Sequence, residues 1–501
     1  MKNNIIPFIV LITVCGLWQC QPKPPEETKQ PNILFIAIDD LNDWVGALEG
    51  HPQVKTPNID RLAAKGVLFT NAHTQSPLCN PSRASIMTGI RPSTSGIYNL
   101  SPHFRDVTLT RGAVTLPQYF QQHGYKTLSN GKIFHSLGNT PDKRTDFEEW
   151  GPIGGGTAGH PPAKLVGDTH MGNHPLLDWG VYPAEGDSVR NDYKVATWAE
   201  EKLGQLAQSD DEKPFFMAVG FWLPHVPLFA TQKWFDLYPE EADIVLPPAP
   251  DDERADVPDF AWYLHWYLPE VRLSWLKANN QWPNIVRSYL ATISFTDAQV
   301  GRVLDALEAN GLADNTLIVL WSDHGFHLGE KGITGKNTLW ERSTHVPLIF
   351  SGPGIPKGVK THKPAELLDI YPTLVDWVGL PEKDGLEGIS LVPQIKDVNS
   401  PRERPAITTH NPGNNSVRSE HWRYIRYANG AEELYDHRTD PHEHHNLAGD
   451  PSMKAVIADH AKWIRASDAP HAPGSQHRVL EQVDGEWIWE GTPIKWEELI
   501  R

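Results

Sequence analysis

The chain has 501 residues, 39% apolar and 21% charged, and a formal net charge of −17; that length exceeds what one hydrophobic core fills and leads to one large domain plus a smaller one. The acidic balance, with no basic stripe or nucleic-acid module, argues against a nucleic-acid partner. It does not argue against an anionic substrate, because beyond about 8 Å the net charge is screened at physiological salt and only the local lining of a pocket counts.

Lys2 followed by the apolar run Ile5 to Leu17 reads as an export signal, since the run is too short to span a bilayer as a stable helix. Leu17-Trp18-Gln19-Cys20 resembles a bacterial lipoprotein processing site, with Cys20 acylated and residues 21–31 as a polar, proline-rich tether. Plain secretion and processing at Cys15 are the competing readings. Either way residues 1–20 are expected to be a leader, and the protein to be exported to the periplasm or the cell surface of a bacterium. The body then retains a single cysteine, Cys79, so no internal disulfide forms. Taken alone, Cys79 could be a small buried hydrophobe.

Along the body, Asn32 to Ile38 is a continuous β-branched apolar run, as in a strand buried on both faces of a parallel sheet, and it stops at Asp39-Asp40. Phe215 to Gly220, leading to Pro224-His225, and Asn315 to Trp321, leading to Asp323-His324-Gly325, repeat the unit. Helical patterns lie between them: Thr56 to Lys65, Thr115 to His123, and Ile285 to Asn310, where Val286, Leu290, Ile293, Val300, Val303 and Leu307 share a face. The expected fold is α/β, a large mixed sheet flanked by helices, with ligands at the carboxyl ends of the strands. Long Pro/Gly/Trp-rich stretches from about Gly138 to Asp192 and from Pro239 to Trp282 are expected to wall or cover the site. After Pro393 short antiparallel patterns appear at Ala406 to Thr409, Trp422 to Tyr427 and Glu433 to Asp436, then a helix near Met453 to Ala466. Residues 32–393 are therefore expected to form the catalytic domain, and 394–501 a smaller α+β subdomain.

Adjacent carboxylates such as Asp39 and Asp40 repel unless a cation lies between them, and Asp323-His324 offers a further oxygen and nitrogen at a second strand end. Each pair singly could cap a helix; both together, each after a buried strand, point to a hard divalent cation. Cys79-Asn80-Pro81-Ser82-Arg83, running into an apparent helix, is a much rarer signal than a lone cysteine. With Gly124-Tyr125-Lys126-Thr127, Gly131-Lys132-Ile133-Phe134-His135 and the ending Leu434-Tyr435-Asp436 to Asn446-Leu447, it resembles the type I formylglycine-dependent sulfatases of the alkaline phosphatase superfamily. Phe134, Pro224-His225-Val226-Pro227, Ser343 to Pro347 and His324 are similar to the iduronate-2-sulfatase branch of that family.

The resemblance implies that Cys79 is oxidised to formylglycine, by a formylglycine-generating or an anaerobic sulfatase-maturating enzyme. It implies that Asp39, Asp40, Asp323, His324 and residue 79 bind one metal ion, with calcium expected. Arg83 and Lys132 would steady the formylglycine and the sulfate, His135 would be the base that releases sulfate, and His225 and Lys336 would contact the ester and protonate the leaving oxygen. Without the resemblance, His225 and Lys336 would read equally well as surface or capping residues. The implied substrate is a sulfated oligosaccharide, cut by exo-acting removal of a 2-O-sulfate from a terminal uronic acid of a glycosaminoglycan or an algal polymer such as ulvan. Two alternatives stand beside this: a phosphonate or phosphodiester hydrolase of the same superfamily, and a carbohydrate-binding lipoprotein whose cysteine is never oxidised. His442, His444 and His445 read as a solvated turn, and the aromatic run Phe260, Trp262, Tyr263, Trp266, Tyr267 and Trp275 as a satellite core at least as well as a sugar platform.

Overall fold

Asn32–Ile38 forms strand β1, and every side chain on it is buried. Leu34, Ile36 and Ile38 enter one hydrophobic core, and Ile33, Phe35 and Ala37 enter a second on the opposite face. This is why the run is apolar throughout rather than alternating. The computed structural model describes Met1 and residues 30–136, 145–153, 156, 160–169, 172 and 174–498. The leader, Cys15, Cys20 and most of the tether lie outside the described residues. Pro31–Arg501 constitutes one unit, and no helix among the described residues is long and apolar enough to cross a membrane.

The remaining strands of the central sheet are Gly66–Phe69 (β2), Lys126–Gly131 (β3), Glu149–Trp150 (β4), Phe215–Phe221 (β5), Thr316–Ser322 (β6), Leu348–Ser351 (β7) and Val359–Thr361 (β8), in spatial order β8-β2-β7-β6-β1-β5-β3-β4. The block β6-β1-β5-β3-β4 is parallel, and β7 runs antiparallel to both its neighbours, so the sheet is mixed. Helices Asn191–Ala207 and Trp282–Ala309 cover one face, burying Val195, Ala196, Val286, Leu290 and Ile293. Helices Cys79–Thr88, Leu116–Gln122 and Ile370–Trp377 cover the other. The long helix starts three residues before the expected Ile285, because Pro283 fits the first turn, where no N–H is needed.

Register decides where chemistry can occur. Ile38 at the end of β1 pairs with Phe221 of β5 and with Ser322 of β6, and Gly131 at the end of β3 pairs with Gly220. The residues that follow these strands, Asp39, Trp222, Asp323 and Lys132, therefore emerge side by side at one sheet edge. Gly220 makes the last crossing possible: a Cβ there would lie 2.2 Å from the carbonyl oxygen of Lys132 and 2.7 Å from its nitrogen. Backbone atoms cannot yield as a flexible side chain can. Gly220→Ala is expected to cost about 1–3 kcal/mol of stability and to lower activity by displacing Lys132, with thermal unfolding and turnover as the readouts. An unchanged unfolding midpoint would contradict this close approach.

Beyond the sheet, Ala406–Thr409, Asn415–Arg418, Trp422–Arg426 and Glu432–Asp436 form a four-stranded antiparallel meander, with the helix Lys454–Ala461 set against it. The sequence reading lacked Asn415–Arg418, whose polar residues are nonetheless buried. Its partners are long-range: Asn415 bonds Thr409 and Asp468, and Arg418 bonds Glu341. It also lacked the hairpin Leu480–Val483 with Glu486–Trp489, which is mostly exposed and weakly periodic. Phe260 and Trp266 lie in a satellite core with Leu339, Trp340, Tyr427 and Tyr435, whereas Trp275 packs against the main core. Of the three clustered histidines, His442 and His445 are exposed and His444 faces Glu253 at 3.6 Å.

Candidate active site

The strand ends are stitched to one another before any side chain is considered. Asp39 N donates to Phe221 O at 3.2 Å, and Asp323 N donates to Ile38 O at 3.3 Å. Asp40 adopts φ +61, a left-handed conformation open to aspartate more than to most residues. Its N–H donates to Asp323 Oδ1 at 3.1 Å, and its carbonyl accepts from Tyr289 OH at 2.6 Å. Gly325 follows the second pair because a Cβ there would sit 2.0 Å from Arg342 O. The two acidic pairs are thus aimed at one point from adjacent strands.

Helix Cys79–Thr88 brings the cysteine to that point, and all of its residues are buried. Cys79 is its first residue, where unpaired N–H groups and the helix dipole favour negative charge. Asn80 Nδ2 donates to the carbonyls of Asn99 (2.8 Å) and Pro102 (3.0 Å), and Ser82 Oγ donates to Asp323 O at 2.7 Å, which fixes the helix start. Pro81 lies in the first turn, where its missing N–H costs nothing. Fully buried Arg83 spans both carboxylates: Nε donates to Asp323 Oδ2 at 2.7 Å and Nη2 to Asp39 Oδ1 at 3.2 Å, while Nη1 bonds the carbonyls of Lys132 and Ile133.

Around the Cys79 sulfur, His324 Nε2 lies at 3.2 Å, Lys336 Nζ at 3.3 Å and Lys132 Nζ at 3.8 Å, and His135 lines the same cavity. Lys132 also bonds Asp39, and Lys336 bonds Asp40 Oδ1 at 2.6 Å. His225 Nδ1 meets Val226 O at 2.6 Å; since a carbonyl only accepts, that nitrogen carries the proton and Nε2 is the one left for other partners. Every site residue expected from sequence is therefore in this one place.

Electrostatics follow from these distances. Burial and Asp39 push the Cys79 thiol up, yet Lys132, Lys336 and His324 outweigh them and hold it well below its usual range. Burial raises Asp39 as well, but Lys132, His225, Arg83 and Lys336 bring it well below the ordinary carboxylate value. Asp323 goes the other way: burial, reinforced by Asp39, overcomes Arg83 and lifts it to about 7. Burial lowers His324, but Asp323 more than compensates and raises it to about 9. Lys336 is raised despite burial, chiefly by Asp40.

The donor set fits a hard divalent cation. Ligand atoms of Asp39, Asp40, Cys79 and His225, and of Asp39, Cys79, Asp323 and His324, lie within 4.8 Å of one another. Asp40 Oδ2 is buried without a hydrogen-bond partner, an oxygen left for a cation. His324 Nδ1 lies 3.1 Å from Gly325 O, which fixes the proton there and turns the Nε2 lone pair inward, as a metal ligand requires. The cluster Glu341, His437 and Glu443 differs: Arg418 and Arg423 already saturate its carboxylates.

Above Cys79 opens a cavity of about 450 Å³ lined by Asp40, Cys79, His135, His225 and Lys336 at its base. Its walls include Trp222, His174, Tyr267, Glu270, Arg478 and Trp489; His174, Tyr267 and Glu270 lie in the two long stretches expected to wall the site, whereas Trp222, Arg478 and Trp489 lie outside them. Trp222 has a detectable signal, since it follows a buried strand and its ring lies 4.0 Å from Lys132 Nζ. Buried Asp192 fixes it, accepting the N–H groups of Trp222 and Leu223 at 2.8 Å each. Arg478 and Trp489 come from the unanticipated C-terminal hairpin region, and no local pattern marks them.

The sulfatase family model matches residues 31–380, and a model described as N-sulphoglucosamine sulphohydrolase, C-terminal, matches residues 329–468. A sulfatase of Formosa agariphila is 40% identical over 466 residues, 90% of each chain. Human iduronate 2-sulfatase is 34% identical over 365 residues, 69% of this chain and 64% of the relative. A solved phosphonate monoester hydrolase of Agrobacterium radiobacter shares the fold, with TM-score 0.68, 24% identity and coverage of 86% of this chain and 94% of that one. Similarity to sulfatases along nearly its whole length rules out the non-catalytic binding protein. This chain belongs to the sulfatase family and is a sulfuric ester hydrolase similar to the iduronate 2-sulfatases.

Proposed function

We propose that the enzyme removes the 2-O-sulfate from a terminal uronic acid of a sulfated polysaccharide, with formylglycine made from Cys79 as its nucleophile. The observation that carries this is the Cys79 sulfur at the base of a walled cavity, with His324 Nε2 at 3.2 Å and Lys336 Nζ at 3.3 Å. A walled pocket admits a chain end more readily than a chain middle. The names of the relatives support the substrate class, one being an iduronate 2-sulfatase and another an ulvan-active sulfatase.

Hydrolysis of a sulfate monoester requires removal of about 20 kcal/mol of barrier by analogy with phosphate monoesters, mostly through positioning and charge stabilisation. Asp39, Asp40, Asp323, His324 and residue 79 would hold one calcium ion, which would supply Lewis-acid stabilisation of developing negative charge, and formylglycine hydrate would supply an oxygen nucleophile with a second hydroxyl. Three carboxylates here already face Arg83, Lys132 and Lys336, so a divalent ion leaves the centre positive enough to draw an anionic ester despite the −17 of the chain. Arg83 orients Asp39 and Asp323, and Lys132 steadies Asp39 and the oxygens at residue 79. His135 takes the proton whose removal releases sulfate. His225, through Nε2, and Lys336 contact the ester and deliver a proton to the leaving sugar oxygen.

A host maturation enzyme of the formylglycine-generating or anaerobic type would act on Cys79 before the buried helix closes over it. Export, acylation at Cys20 and a subdomain comprising residues 394–501 complete the proposal. The test is sulfate release from defined oligosaccharides that differ in sulfate position and in uronate or neutral terminal residue. Preference for the terminal 2-O-sulfated uronate is expected; preference for an internal sulfate or a 6-O-sulfated amino sugar would refute it. The fold shared with a phosphonate monoester hydrolase favours one second reading, and faster turnover of an aryl phosphonate than of an aryl sulfate would establish that one instead.

A further inference from the structure

The wall of the cavity carries an ion pair that sulfate cleavage does not use. Arg478 Nη2 meets Glu270 Oε1 at 3.1 Å, with side-chain exposures of 14% and 8%. Of the described residues lining the cavity, Lys336 and Arg478 are the two permanent cations, and Lys336 is bonded to Asp40 beside Cys79. Arg478 is thus the cation of the described wall placed to receive a second negative group on the sugar. The neighbouring Glu490 also lines the cavity, and its Oε1 accepts the Val479 N–H at 2.6 Å.

The pair is braced at some conformational cost. His477 (φ +65) and Arg478 (φ +82) are consecutive non-glycine residues in the left-handed region. Such a turn persists only where the surroundings hold it. Asn411, itself at φ +59, does so: its Nδ2 donates to Arg478 O at 3.2 Å and its Oδ1 accepts Leu480 N at 3.1 Å. On the other side, Glu270 packs on Gly335 (φ +93), the residue before Lys336, where a Cβ would lie 2.6 Å from Glu270 Cγ. The ion pair is thus tied to the same backbone that carries the cation next to Cys79. Arg478 Nε and Glu270 Oε2 are buried without hydrogen-bond partners. A guanidinium held by one carboxylate while another of its N–H groups stays unpaired is suited to a second planar anion, and a carboxylate matches its fork.

We infer that Arg478, aimed by Glu270 and Asn411, is the specificity residue that receives the carboxylate of the uronic acid bearing the scissile sulfate. This rests on the uronate reading above. The test uses the matured, metal-loaded enzyme as wild type, Arg478→Ala and Arg478→Lys, on a 2-O-sulfated uronate-terminated disaccharide and on its carboxyl-reduced counterpart. The ratio of kcat/KM between the two substrates is expected to fall about 10- to 100-fold in Arg478→Ala, the range for one hydrogen bond to a charged group, mainly through KM. Arg478→Lys is expected to recover only part of it, because an ammonium lacks the fork. A merely structural arginine would depress both substrates alike and leave the ratio unchanged, which would overturn the inference while sparing the uronate reading. A wild-type enzyme indifferent to the carboxylate would overturn both.

Discussion

Replacing Cys79 with alanine is expected to abolish sulfate-ester turnover, by at least about 10⁴-fold, as loss of a covalent nucleophile does in other hydrolases. The fold should survive. Cys79 occupies the first turn of a helix held by Asn80, Ser82 and Arg83, whose bonds to Asn99, Pro102, Asp323 and Asp39 do not involve the sulfur. Cys79→Ser should be equally inactive unless the host converts serine, since serine alone has no second hydroxyl to expel the transferred sulfate. Sulfate release and thermal unfolding on the purified variants check this, with mass spectrometry of the residue-79 peptide in the wild type. Near-wild-type turnover by Cys79→Ala would end the nucleophile assignment.

The second large effect is expected at Asp323. Its carboxylate accepts Arg83 Nε and the Asp40 N–H and lies 3.7 Å from His324 Nε2, so it links the proposed metal ligands to the cysteine helix. Asp323→Asn removes a charge but keeps the shape. Arg83 then lacks one of its two buried counter-charges, which by the precedent of broken buried pairs costs about 3–5 kcal/mol. Metal content per folded chain and turnover should fall together, turnover by at least about 100-fold. Adding calcium to a chelated wild-type enzyme should restore activity better than magnesium, because carboxylates converge with little room for the waters magnesium retains. Full activity of demonstrably metal-free protein would contradict the metal role altogether.

Local chemistry was legible where it was dense. A strand buried on both faces announces itself by an unbroken apolar run, and β1, β5 and β6 appear within a residue of where such runs lie. The acidic pairs at the ends of β1 and β6 and the cysteine-proline-serine-arginine order could be named without coordinates, because the proposed metal and nucleophile need those residue types in those places. The polar strand Asn415–Arg418 could not be, since its burial depends on Thr409, Asp468 and Glu341, each supplied from another part of the chain.

By itself, then, the sequence marked the sheet's buried strands and, through its resemblance to a known family, the reaction class and the proposed ligands Asp39, Asp40, Cys79, Asp323 and His324. Tertiary structure alone decided that Arg83 bridges two carboxylates, that Gly220 lets Lys132 reach the centre, and that Trp222, Glu270 and Arg478 wall the pocket. The physical reason is that the proposed catalytic groups sit at the ends of regular strands, whereas the cavity wall is set by where loops and a distant C-terminal turn come to rest. Arg478 lies 208 residues from Glu270, and only the folded chain, with Asn411 holding a left-handed turn, sets the two 3.1 Å apart.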